Sequence, residues 1–181
     1  MSGDRIEFAV RGVEPESQGS MTFYGKGRVS HGRPAHDRAL RAWRGALEAE
    51  ARVALAGREP LEGPVGVEAT FWLLRPQAHH AGRKRSHPVR SDAPAYSSTK
   101  PDLDKLLRAA IDGIAPALLR DDGQVAQVGG EKRYADEPEA VGAQIAVWPL
   151  ADTGPPPLSA SAGPAPGRLY VQASGPGGAS P

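Results

Sequence analysis

One segment constrains the fold more than any other. The chain reads Thr99-Lys-Pro-Asp-Leu-Asp-Lys-Leu-Leu-Arg-Ala-Ala-Ile-Asp-Gly-Ile114, and soon after Leu119-Arg-Asp-Asp-Gly-Gln-Val125. Leu103, Leu106, Leu107, Ala110, Ile111 and Ile114 recur at three- and four-residue spacing and form one apolar stripe. This predicts a helix from Thr99 to about Ile114, whose apolar face must be buried against a sheet or another helix. Thr99, with Asp102 three residues on, suits a helix start, and Pro101 is tolerated in a first turn. Asp102 and Asp104 then stand in that first turn on either side of a buried Leu103. If the chain folds back through Pro116, Asp121 and Asp122 at the mouth of the next strand can approach the helix start.

Periodicity maps the remaining elements. Ile6, Phe8 and Val10 alternate as in a strand. The Gly- and Ser-rich stretch 17–33 reads as a long loop or an irregular hairpin. Leu40, Trp43, Leu47, Ala51 and Ala54 or Leu55 predict a helix from about Pro34 to Ala56, stopped by Gly57. Val65, Val67, Ala69, Phe71 and Leu73 alternate through a second strand. A long, basic, His-rich loop covers 75–99. Two further strands are expected over 124–134 and 141–148, with a bulge or bend at Gly129-Gly130 and a turn at 136–139. The order is not a regular strand–helix alternation. It points to an α+β domain over 1–150, a mixed β-sheet packed with two main helices. From Ala151 to Pro181 there are seven Pro, six Gly, six Ala and four Ser. Such a composition buries too little apolar surface to offset its ordering entropy, so 151–181 is read as a disordered tail.

The charges narrow the function. The net charge of +1 argues against a nucleic-acid partner only if the charges are mixed. They are not. Residues 24–44 carry Lys26, Arg28, Arg33, Arg38, Arg41 and Arg44 against Asp37, and 75–101 carry Arg75, Arg83, Lys84, Arg85, Arg90 and Lys100 against Asp92. Each block sums to +5, all five His lie in them, and the second block runs into five Asp between 102 and 122. Basic segments of this kind bind phosphates by displacing counterions. The absence of Cys excludes a disulfide scaffold, an Fe–S cluster, a thiolate zinc site and a Cys nucleophile. No run approaches a membrane span, and the first residues lack a signal-peptide pattern, so a soluble, cytoplasmic protein is expected.

Three carboxylates brought together repel one another unless a cation intervenes. Oxygen ligands suit Mg²⁺ or Mn²⁺, and such an ion supports phosphodiester hydrolysis. Each feature also has a plain structural explanation. Asp102 and Asp104 can cap a helix, Asp121-Asp122-Gly123 can be a turn, and Lys105 and Arg108 can be solvated helix charges. Arg108 can also pair with Asp104 one turn back, and Asp112 can face the same site or serve packing.

The pattern Lys100-Pro-Asp-Leu-Asp-Lys-Leu-Leu-Arg-Ala-Ala-Ile-Asp-Gly113, then Asp121-Asp-Gly-Gln-Val125 and Glu131-Lys-Arg-Tyr134, resembles the RusA family of Holliday junction resolvases. Gln18-Gly-Ser-Met21 and Ala42-Trp-Arg44 are similar to members of it as well, and the resemblance spans about 5–149. It implies a homodimeric α+β fold, encoded by bacteria or prophages, that cuts four-way DNA junctions with Mg²⁺ or Mn²⁺. It implies metal ligation by Asp102, Asp104 and Asp122, with Asp121 beside them. A family lysine falls on Arg108, which keeps the charge but cannot exchange a proton near neutral pH. The DNA grip would come from Lys26, Arg28, Arg83, Lys84, Arg85, Arg90, Lys100 and Lys132. The chief rival is a non-catalytic branched-DNA-binding protein of the same fold. A phosphatase with an aspartyl nucleophile fits poorly, because Asp102 opens a helix instead of ending a strand. A sugar-nucleotide transferase fits poorly because no nucleotide fold is evident.

Overall fold

Alternation of apolar and polar residues builds the sheet. In the computed structural model, strand β4 (Val65–Leu74) turns Val65, Val67, Ala69, Phe71 and Leu73 inward, all buried. It is flanked on both sides. Strand β6 (Gly142–Pro149) pairs antiparallel with it and β5 (Val125–Ala135) pairs parallel, while β1 (Ile6–Arg11) borders β6 antiparallel. The order is β1-β6-β4-β5, a mixed four-stranded sheet. Within the stretch read as a loop or irregular hairpin, β2 (Thr22–Tyr24) pairs antiparallel with β3 (Arg28–Ser30) in a separate two-stranded sheet. The structure describes residues 5–19, 22–24, 28–30 and 34–151, with only the backbone for 22–24, 28–30 and Pro34. The expected tail lies outside these residues apart from Ala151.

Two helices complete the α+β domain. Helix α1 (Pro34–Leu55) buries Trp43, Leu47, Ala51 and Leu55, and α2 (Leu103–Leu118) buries Leu106, Ala109, Ala110, Ile114, Ala117 and Leu118. These side chains form one core with the inward residues of the sheet. Full burial of each large one stabilises the fold by roughly 1.5–3 kcal/mol. The helices touch closely at Gly113, where a Cβ would stand 3.0 Å from Leu47 Cδ1 and 3.3 Å from the Arg44 Cα. That contact explains a glycine in mid-helix. Helix α2 is also the crossover between the parallel strands β4 and β5, so its first turn is carried alongside β5.

Four expectations need correction. Helix α2 begins at Leu103, not Thr99, and Asp102 is its extended N-cap residue (φ −70°, ψ 140°). Pro101 biases the residue before it toward extended backbone. The carbonyls of Thr99 and Pro101 are moreover taken by the Lys132 side chain. Helix α2 also continues past Ile114 to Leu118, with Pro116 inside its last turn, because burying Ala117 and Leu118 rewards the extra turn. Leu103 is half-buried instead of buried. Finally, Gly129-Gly130 pairs regularly with Glu68 and Ala69, and the sheet irregularity lies at Val65/Gly66 instead. Gly130 answers a packing need: a Cβ there would stand 2.9 Å from Leu107 Cδ2 and from the Ala69 carbonyl oxygen.

Candidate active site

The groove beside α2 collects the acidic residues. Asp104, Arg108 and Asp112 project from α2 at four-residue intervals, and Asp122 faces them from the turn before β5. Leu107, Ile111, Val125 and Val128 form the apolar lining of this groove of about 420 Å³. Leu107 and Ile111 belong to the sequence stripe, yet both remain half-exposed at its margin. Asp121 and Asp122 also border an adjoining groove with Asp112 and Arg120.

The carboxylates differ in what already holds them. Asp102 accepts from Lys105 Nζ at 2.8 Å. That hydrogen bond holds the Asp102 carboxyl below its ordinary value, and the Lys105, Lys100 and Lys132 charges act in the same direction. Asp112 forms an ion pair with Arg44 of α1 and so also ties the helices together. Asp121 Oδ1 accepts from the Gly123 backbone N–H at 2.8 Å and caps its own turn. Asp104 and Asp122 are exposed and have no ion pair among the described residues. Arg108 does not pair with Asp104; it is exposed and likewise without an ion pair there. Among the described residues, no three His, Cys, Asp or Glu side chains gather closely enough to hold a metal ion.

Gln124 fixes the turn that carries Asp121 and Asp122. Its Oε1 accepts from the N–H groups of Arg120 and Asp121, and its Nε2 donates to the carbonyls of Leu61 and Gly63 at 3.0 and 2.8 Å. Sequence reasoning noted Gln124 only as part of a motif. An amide that must satisfy four backbone groups has no signal in spacing or charge.

With both sides of the groove described, the comparison with known families decides the assignment. The family model for Endodeoxyribonuclease RusA matches residues 14–146 of the 181-residue chain. This chain belongs to the RusA endodeoxyribonuclease family. The match lies within the span of the resemblance, and the mixed sheet with two helices is consistent with the RusA fold. No curated protein matches the chain. Membership makes it one of a family of nucleases, hydrolases of DNA phosphodiester bonds.

In this RusA-family protein the basic residues differ in exposure and pairing. Arg83, Lys84, Arg85 and Lys100 are exposed. Arg90 is exposed as well but pairs with Asp92 at 2.5 Å. Lys132 is half-buried and donates to the Thr99 and Pro101 carbonyls at 2.7 Å each. Lys26 lies outside the described residues, as does the side chain of Arg28. Arg75, counted in the sequence with the basic block, is not part of an exposed surface. It is buried, donates to Asp136 at 2.7 Å and to the Pro94 carbonyl at 2.9 Å, and lies over the Tyr134 ring. The loop it anchors has further fixed points. His80 is buried with Nδ1 2.9 Å from the His87 carbonyl, and His79 meets Tyr134 edge-on. Two short 3₁₀ turns, Gln77–His79 and Ala81–Arg83, shape the stretch that presents Arg83, Lys84 and Arg85.

Proposed function

We propose that this protein is a metal-dependent, structure-specific endonuclease that cuts four-way DNA junctions as a homodimer in recombination and repair. The observation that carries the reading is the groove lined by Asp104, Arg108 and Asp122, within a chain of the RusA family. Opposed cuts on a two-fold junction suit a two-fold protein.

The donor set fits a hard cation. Asp104 and Asp122 line one groove and offer only carboxylate oxygens, the ligands preferred by Mg²⁺ and Mn²⁺, and Asp102 and Asp121 are their sequence neighbours. When bound, such an ion supplies a water of lowered pKa and neutralises charge at the phosphate. The chain's own groups do the rest. Arg108, at the groove and without an ion pair, offsets phosphate charge but stays protonated, so it cannot remove a proton from water. Arg83, Lys84, Arg85 and Lys100 grip the DNA backbone and set its position without reading sequence.

The test is incubation of the full chain with a synthetic four-way junction, with and without Mg²⁺ or Mn²⁺, beside linear duplex. Paired nicks on the junction alone are expected. A protein that binds junctions and never cuts them with either ion is the rival, a non-catalytic branched-DNA binder of the same fold.

A further inference from the structure

Residue 132 meets the segment that leads into α2 at three alternate positions. Its carbonyl accepts from the Ser97 N–H at 3.0 Å. Its ammonium donates to the carbonyls of Thr99 and Pro101 at 2.7 Å each. The chain bends through Thr99–Pro101, and one ammonium reaches both carbonyls there. The next residue, Asp102, supplies the carbonyl that accepts from Leu106 N–H at 3.1 Å and starts the helix. Lys132 itself is fixed on β5, where Tyr134 N–H also donates to the Ala95 carbonyl at 3.0 Å. Two residues back on the same strand, Gly130 packs against Leu107.

We propose that Lys132 is a positioning residue for the hydrolytic site, clamping the backbone at 99 and 101 so that Asp102 and Asp104 leave the helix start in fixed directions. This rests on the endonuclease reading for what those carboxylates do, but the clamp itself is a property of the protein alone. It replaces the expectation that Lys132 grips a DNA phosphate. Two of the three N–H donors of the ammonium are already held by backbone carbonyls, which fixes where the group sits. The dependence runs through a lysine because the site needs several N–H donors from one atom, whereas the planar fork of Arg aims its donors differently.

The full-length Lys132→Met and Lys132→Arg variants test this against wild type. Hydrogen exchange of a peptide covering 97–106 is measured without metal or DNA. Mn²⁺ affinity is measured by calorimetry, and metal-free junction affinity by gel shift. Lys132→Met is expected to exchange faster over 97–106 and to bind Mn²⁺ about 10–100-fold more weakly, as for other residues that orient ligands. Its metal-free junction affinity is expected to be unchanged, and Lys132→Arg is expected to recover Mn²⁺ affinity only in part. Wild-type exchange in the Met variant overturns the proposal. So does a loss of metal-free junction affinity with normal exchange, which would make Lys132 a phosphate contact. Lys132→Gln, which keeps two neutral N–H donors, serves if the Met variant does not fold. If wild type neither binds Mn²⁺ nor cuts junctions, the endonuclease reading fails, while the exchange measurement still judges the clamp.

Discussion

Lys105 donates to Asp102 across one turn of α2 at 2.8 Å, whereas Asp104, two residues beyond Asp102, faces the groove that Asp122 borders. The acidic residues of this region therefore do different things. Asp104→Asn and Asp122→Asn are each expected to lower junction cleavage more than about 100-fold, beyond the usual effect of residues that only orient ligands. Junction binding should remain. Asp112→Asn breaks the pair with Arg44 and should cost about 1 kcal/mol of stability, seen in urea unfolding. Loss of binding in the Asp104 variant would sink the division of roles.

The exposed tip of the 75–99 loop is expected to act on affinity and not on stability. Replacing Arg83, Lys84 and Arg85 together by Ala should leave the thermal midpoint unchanged. The slope of log affinity against log salt should fall by up to about 3, near 0.9 for each phosphate that the variant no longer neutralises. Equal slopes for variant and wild type would remove this loop from the DNA interface.

Arg75→Ala should behave in the opposite way. It leaves the Pro94 carbonyl without its partner and removes a buried side chain from beneath Tyr134. A stability loss of about 1–3 kcal/mol is expected. Faster hydrogen exchange should be confined to 76–99. Exchange that rises evenly over the whole domain would contradict a local anchor.

Adjacent glycines on β5 should respond unequally. A side chain on Gly130 meets Leu107 and the Ala69 carbonyl at 2.9 Å, whereas nothing lies within 4 Å of a Cβ on Gly129. Gly130→Val is expected to cost about 1–3 kcal/mol through overpacking. Gly129→Val should stay within about 0.5 kcal/mol of wild type. Denaturant midpoints of the two variants make the comparison.

Glu16 supplies a pH test. Burial raises its carboxyl above the ordinary value, while the His36 charge acts the other way. A carboxyl whose folded pKa is raised binds its proton more tightly in the native state. Stability is therefore lost as pH rises from the ordinary carboxylate pKa through the raised one. Glu16→Gln removes that loss. Relative to wild type, the variant should gain stability at pH above the raised carboxyl pKa and not below the ordinary carboxylate range. A stability difference that does not change with pH would show that burial of Glu16 has no electrostatic cost.

Much of the fold was legible because it rests on local periodicity. Val65, Val67, Ala69, Phe71 and Leu73 alternate in the chain and all point inward in β4. Trp43, Leu47 and Ala51 mark the buried side of α1 in the same way. The start of α2 was not legible, because Thr99 and Asp102 make a plausible cap. Part of what competes with that cap is a lysine 31 residues beyond Pro101, which takes the Thr99 and Pro101 carbonyls. The glycine pair on β5 suggested a bend, yet Gly130 answers to a leucine of α2. The acidic and basic residues were identified by type, but type does not distinguish the paired Asp102 from Asp104 beside it.

By itself, the sequence determined the kind and order of the elements, the segregation of charge, the exclusion of a thiolate metal site and the family. These follow from spacing and composition along the chain. Only the tertiary structure decided which charges are free to act. Arg75 is joined to Asp136 across 61 positions, and Arg44 to Asp112 across 68. The strength of a charge's interaction depends on separation in space and on burial. Packing brings those partners together, and no pattern along the chain records it.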